Sequence, residues 1–153
     1  MLACLSRLRA RAKDCVTSCM MGLLLVASCN GGGDDETADI RAEIEPNDTL
    51  VQAGVILPGQ PLLGSVDETS DPSDFFLFTV LASGPRQITL SGFGASDLDL
   101  LLYARNGLLL DFSESSGSPE VINRTFSVDN EYVIEVRAVS TPAATAYTLR
   151  MDD

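Results

Sequence analysis

Two acidic stretches hold the side chains best suited to chemistry: Glu43-Ile44-Glu45-Pro46-Asn47-Asp48-Thr49 and Asp71-Pro72-Ser73-Asp74. Pro46 steers Glu45 away from helical geometry and into an extended conformation. Alternate side chains of an extended chain share a side, so Glu43, Glu45 and Asn47 are expected to point one way. A turn after Asn47 brings Asp48 round to them. Asp, Pro and Ser in succession favour a type I turn whose ends approach within about 7 Å, which predicts neighbouring Asp71 and Asp74 carboxylates. If both stretches meet, five carboxylates and one amide converge. Two like charges 4 Å apart cost roughly 4 kcal/mol at an effective dielectric of 20. A hard dication with oxygen ligands relieves that repulsion; Ca²⁺ accepts six to eight oxygens in flexible geometry, and Mg²⁺ suits an all-protein cage less well. The same residues also fit a metal-free alternative, a solvated lead-in loop and a plain turn.

Other chemistries have little to draw on. The 153 residues include no His and no Trp. Without His the chain lacks the commonest general base and metal ligand, which excludes Ser-His-Asp and Cys-His catalysis and any His-containing zinc site. A net charge of −12 opposes a phosphate-tracking nucleic-acid binder, which needs a basic stripe. Asp97 and Asp99 share a strand face, as paired carboxylates of an inverting glycosidase could, but acids at strand edges are common. Ser113, Ser115, Ser116 and Ser118 form a polar loop with no base in sequence reach. The expectation is a protein that is not an enzyme and has no nucleic-acid partner.

The cysteines and basic residues are placed unevenly. Cys4, Cys15, Cys19 and Cys29 all fall in the first 29 residues, beside Arg7, Arg9, Arg11 and Lys13. A basic segment, then a mostly apolar run from Cys15 to Val26, then Val26-Ala27-Ser28-Cys29, has the layout of an export signal; the run lies within the usual range of about 7–15 residues and short of the roughly 20 needed to span a membrane. The small residues before Cys29 resemble the lipobox of bacterial lipoproteins. That resemblance implies cleavage before Cys29, lipidation of its thiol and a membrane partner through the anchor. An ordinary cysteine behind a plain signal peptide, or a Cys15/Cys19 metal or redox pair, are the alternatives. Asn30 after the Cys resembles an outer-membrane address. Residues 29–42 read as a flexible acidic, Gly-rich linker that repels anionic headgroups. Beyond residue 28 the chain keeps six basic side chains against 21 acidic ones, a net of −15.

The elements that must position the acids read as β-strands. From about Arg41 onward, short β-branched and aromatic runs alternate with Gly, Pro, Asn, Asp and Ser. Strands are predicted over Leu62–Val66, Phe75–Leu81, Gln87–Gly92, Asp99–Ala104, Leu108–Phe112, Glu120–Phe126, Glu131–Val139 and Ala146–Met151. Phe76, Phe78 and Val80 share one face, as do Tyr132, Ile134 and Val136, and Tyr147, Leu149 and Met151. One apolar face per strand predicts an all-β fold, an antiparallel sandwich or jelly roll of about eight strands. Asn106-Gly107 predicts a tight hairpin. The Leu100–Leu102 and Leu108–Leu110 runs lack alternation and suggest strands covered on both faces.

Several pieces in order resemble the bacterial pre-peptidase C-terminal domain: Glu45-Pro46-Asn47-Asp48-Thr49, Gly64-Ser65-Val66, Asp71-x-x-Asp74-Phe75-Phe76-Leu77-Phe78, Asp97-Leu98-Asp99-Leu100, Tyr132-Val133-Ile134-Glu135-Val136 and Tyr147-x-Leu149. Asn130 stands where a Gly usually precedes the Tyr. The resemblance spans residues 43–153 and implies a secreted, non-catalytic β-sandwich. Its collagenase relatives bind Ca²⁺, and by position Glu43, Glu45, Asn47, Asp48, Asp71 and Asp74 match their ligand pattern. The expected organisation is a signal peptide (1–28), a lipidated Cys29 with linker (29–42) and the sandwich (43–153). The expected role is an envelope module that binds or presents a protein or polysaccharide. The alternative is a structural subunit, or a companion to a separately encoded secreted protease.

Overall fold

The computed structural model describes residues 40–153. The signal segment, Cys29, the Cys15/Cys19 pair and the linker through residue 39 lie outside the described residues. Ten strands follow: β1 (Arg41–Ala42), β2 (Gly54–Val55), β3 (Leu62–Val66), β4 (Ser73–Thr79), β5 (Gly84–Ser91), β6 (Asp97–Ala104), β7 (Leu109–Ser113), β8 (Glu120–Phe126), β9 (Glu131–Ser140) and β10 (Thr145–Met151). They form two five-stranded sheets, ordered β1-β3-β10-β5-β8 and β2-β4-β9-β6-β7. The architecture is the expected all-β sandwich. All pairings are antiparallel except β1 with β3 and β2 with β4, which run parallel at one edge of each sheet. No periodicity marks these two-residue strands, and β1 begins within the segment read as linker.

Alternation builds the core. Asp74, Phe76 and Phe78 pair with Val136, Ile134 and Tyr132 across β4 and β9, and Leu100 and Leu102 continue the same inner face on β6. From the other sheet come Leu62, Val66, Ile88, Leu90, Ile122, Phe126, Tyr147, Leu149 and Met151. Among the described residues this cluster runs from Ile56 to Met151 and draws on both sheets. Phe78, Phe126 and Tyr132 pack with centroids 4.9–5.5 Å apart, two edge-on contacts and one stacked, a favoured aromatic geometry.

β6 is buried on both faces, as the leucine run suggested: Leu101 and Val133 are covered on the outer side of their sheet. The chain after Asn47 crosses toward the β6–β7 hairpin, where Leu50 O accepts from Arg105 Nη1 at 3.5 Å. The second leucine run behaves differently. Leu108 and Leu109 are exposed, because β7 is the last strand of its sheet and has only β6 beside it. The hairpin turns at Asn106-Gly107, with Gly107 at φ 85°. In the turn before β9 the left-handed residue is Asp129 (φ 62°), next to Asn130.

The expected Asp71–Asp74 turn is displaced. The turn sits at Glu68-Thr69-Ser70, Asp67 bridges Asp71, and Ser73 and Asp74 already belong to β4. The cause is local: Asp67 Oδ1 accepts from Thr69 N and Ser70 N at 2.9 and 3.0 Å and from both hydroxyls. The Thr69 hydroxyl, then these amides, hold its carboxyl down to about 2. Such an Asx turn makes the bend itself, leaving Asp71 extended before Pro72. The turn is also clamped to the β9–β10 connection, since Glu68 N donates to Thr141 Oγ1 (2.9 Å) and Thr141 N to Glu68 Oε2 (3.1 Å).

Candidate metal centre

The six acidic-stretch residues converge at the end of the sandwich where β3, β4 and β10 meet. The segment after β1 continues along β3, with Glu43 N on Leu63 O at 2.9 Å. This aims Glu43 inward, where Oε1 accepts from Ser65 N at 2.7 Å and Oε2 from Tyr147 Oη at 3.0 Å. The Glu45–Pro46 bond is cis. Asn47 is then pinned to β4 by Phe75 N donating to Asn47 O at 2.9 Å, and its side chain is fully buried. Asp74 opens β4 on the inner face and is equally buried; Tyr147 Oη donates to its Oδ2. Asp71 and Asp74, joined by extended chain rather than by the expected turn, enter different parts of the cluster, Asp71 beside Glu45 and Asp48 and Asp74 beside Glu43 and Glu45.

Carboxylate oxygens of Glu43, Glu45 and Asp74 lie within 4.8 Å of one another, and so do those of Glu45, Asp48 and Asp71. Glu45 is common to both groups. Oxygens on opposite sides of a Ca²⁺ with bonds of 2.3–2.6 Å stand about 4.6–5.2 Å apart, so the spacing admits a shared cation. Asn47 adds a choice. With its amide nitrogen inward it donates to Asp74 Oδ1 at 2.9 Å and Glu45 Oε2 at 3.1 Å. With its oxygen inward that oxygen faces the same carboxylates, an arrangement that is repulsive unless a cation lies between, and Nδ2 meets Glu43 Oε2 at 3.5 Å. Asp71 Oδ1 is buried without a hydrogen-bond partner among the described residues. A buried carboxylate oxygen left unpaired is costly, and a metal ion would satisfy it. The residues therefore fit a metal ion.

The electrostatics agree with the crowding. Burial, followed by the charges of Glu45 and Asp48, pushes the Asp71 carboxyl up to about 6. Asp74 is pushed up to about 9 by burial first; donation from Tyr147 opposes this, and the Glu43 charge adds to it. Burial and the facing Asp74 carboxylate push the Tyr147 phenol far up, so it remains a donor. Tyr147 is the one site residue that the acidic spacing does not reveal. Its signal is its place on the inner face of β10, because an inward Tyr hydroxyl needs a polar partner.

The weaker constellations are engaged elsewhere. Asp99 pairs with Arg137 at 2.6 Å, Arg137 also reaches Glu114 at 3.2 Å, and a register shift separates Asp97 from Leu98. The serine loop does have a carboxylate beside it: fully buried Glu120 accepts from the hydroxyls of Ser113 and Ser115 and from Ser115 N at 3.2 Å. Its oxygens close the β7–β8 loop. On the outer face, Glu135 accepts from Ser73 Oγ (2.9 Å) and Tyr103 Oη (2.7 Å).

No protein-family model matches the sequence. Among solved structures, the pre-peptidase C-terminal domain of a collagenase from Bacillus anthracis aligns with a TM-score of 0.56 at 16% identity, covering 65% of this chain and 94% of that one. PliG from Aeromonas hydrophila, a periplasmic inhibitor of g-type lysozyme, aligns over 74% of this chain and 97% of that one at 11% identity and a TM-score of 0.43. With two five-stranded sheets and the alignment to the collagenase domain, the described residues have the fold of the pre-peptidase C-terminal domain.

Proposed function

We propose that this chain is a non-catalytic, lipid-anchored module of a bacterial cell envelope that binds or presents a protein or polysaccharide ligand. In this reading Ca²⁺ seats among Glu43, Glu45, Asn47, Asp48, Asp71 and Asp74. The supporting observation is where those residues come from. Four belong to the segment that leads into the domain, while Asp71 precedes β4 and Asp74 lies in it; each of the two groups within 4.8 Å, Glu43/Glu45/Asp74 and Glu45/Asp48/Asp71, joins carboxylates from both stretches. An ion held there fastens the lead-in segment to the sandwich and fixes the domain's orientation on its tether. Ca²⁺ supplies charge neutralisation; Tyr147 and Ser65 N hold the carboxylates in place. The absence of His in the sequence and the commitment of Asp99 and Glu120 to internal partners support a role without catalysis.

The test is thermal unfolding with and without Ca²⁺. At a free concentration 100 times the dissociation constant, the gain is about 2.7 kcal/mol, or roughly 10 °C for a domain of this size. Asp71→Ala/Asp74→Ala is expected to abolish the shift. No shift at millimolar Ca²⁺, or the same shift in that variant, removes the site. The anchor has its own measurement: Cys29→Ser is expected to end palmitate labelling in cells, and continued labelling contradicts it.

A further inference from the structure

The two short parallel strands leave an apolar seam where the sheets meet along one edge. A groove of about 260 Å³ runs between β1 and β2, walled by Ala42, Ile44, Gly54 and Val55 over a floor of Leu62 and Phe76. Val55 also lines a second groove of about 240 Å³ with Leu57, Pro58, Leu77 and Leu81, so the two grooves adjoin at Val55. Ile44, Val55, Leu57 and Leu81 are 78%, 56%, 41% and 83% exposed. Among the described residues the charged side chains lining the seam are Arg41 and Glu43, in a chain where 21% of residues are charged. A row of large exposed apolar side chains with few charges marks an interaction surface.

We propose that this seam rests on a lipid surface, so that the anchored domain lies against the membrane on the β1/β2 edge. The docking presupposes the anchored reading above, but its test does not. The position of the chain favours lipid. Residue 40 leads directly into β1, at the rim of the seam, and Cys29 lies eleven residues before it. Eleven residues of chain cover at most about 36–40 Å at roughly 3.3–3.6 Å per residue, so an anchor at Cys29 limits how far the seam can stand from the bilayer. Strand addition by a protein partner fits less well, since β2 offers two residues of edge and Pro58 follows shortly after. The acidic residues preceding residue 40 oppose anionic headgroups, which makes a neutral lipid surface the preferred one.

The absence of Trp provides a clean reporter. In the chain from residue 30 onward, which lacks Cys29, Leu81→Trp is titrated with phosphatidylcholine/phosphatidylethanolamine vesicles. A blue shift and quenching by brominated acyl chains are expected. Phe112→Trp, on β7 at the opposite edge of the sheet, is expected to show neither. Adding Val55→Asp and Leu57→Asp to the Leu81→Trp chain is expected to lower partitioning at least tenfold while circular dichroism stays unchanged. No quenching of Leu81→Trp at millimolar lipid, or equal quenching of Phe112→Trp, overturns the docking. Failure of the anchor would appear as missing palmitate on the native chain and leave this readout untouched, so the two failures are distinguishable.

Discussion

In calcium-free solution the domain is expected to lose stability as pH rises from about 4 to about 9, and Asp74→Asn is expected to flatten most of that fall. The Asp74 carboxyl stands near 9 in the folded protein against an ordinary value of 3.8. Between those values the folded state holds a proton that the unfolded state has released. Stability therefore declines with rising pH: the contribution is complete below about 4 and gone above about 9. Asp71, raised to about 6, adds a smaller fall over the lower part of the window. Asp67 lies outside it, since its carboxyl is held down to about 2 and its contribution disappears only toward that pH. Asn at position 74 imitates the protonated acid without titrating. Under the proposed function Ca²⁺ is expected to reverse the trend, because a metal ion binds deprotonated carboxylates and binds them better as pH rises. Urea unfolding at pH 4.5, 6, 7.5 and 9, in chelator and in millimolar Ca²⁺, measures both limbs. A flat chelator profile, or a slope unchanged by Asp74→Asn, would contradict this account of the cluster.

Gly64→Ala is expected to damage stability and the cation response together. Gly64 lies on β3 directly opposite Tyr147. A Cβ there would overlap the Tyr147 ring and hydroxyl and come within 2.5 Å of Glu43 Oε2. The carboxylate can swing away, but the Tyr147 ring is buried in the core and cannot follow without disturbing its neighbours. Overpacking of this kind costs about 1–3 kcal/mol, which lowers Tm by roughly 4–12 °C. Displacing Glu43 also takes an oxygen from the cluster, so Ca²⁺ should bind at least tenfold more weakly. Tyr147→Phe makes the comparison informative: it keeps the ring, removes the hydroxyl, and is expected to weaken the cation response with little overpacking. Gly64→Ala unfolding within 0.5 kcal/mol of the parent would rule out the close approach as the reason for glycine.

What the sequence made legible follows from the range of each interaction. Leu62–Val66 and Glu120–Phe126 are strands to the residue, because period-two alternation and flanking breakers are local signals. The residues of the cluster were legible as types and as two stretches, since like charges so dense need a counter-charge. The route that joins them was not. Asp-Pro-Ser has turn propensity, but Asp67, Thr69 and Ser70 form the competing bend three residues earlier. β1 and β2 carry no pattern, and each exists because a partner strand, β3 or β4, accepts it. Leu108 and Leu109 show the reverse case: a run that looks doubly buried is exposed because strand order, which no local pattern encodes, puts it at an edge. Glu120 escaped notice beside its serines for a similar reason. It is local in sequence, yet its burial is decided by the packing of the two sheets.

The two residue pairs of β1 also set a mechanical order. A pull on residue 40 reaches the sandwich first through Arg41 and Ala42 beside Leu62 and Leu63, the smallest ladder in its sheet. The next resistance is at Glu43, whose carboxylate is held by Ser65 N and Tyr147 Oη, and beyond it at Asn47, fastened to Phe75 N. Tension arriving from the N-terminal side thus meets a weak fuse and then a latch made of the acidic cluster. While that latch holds, the pull passes into β3, β4 and β10 rather than along the chain beyond Asn47.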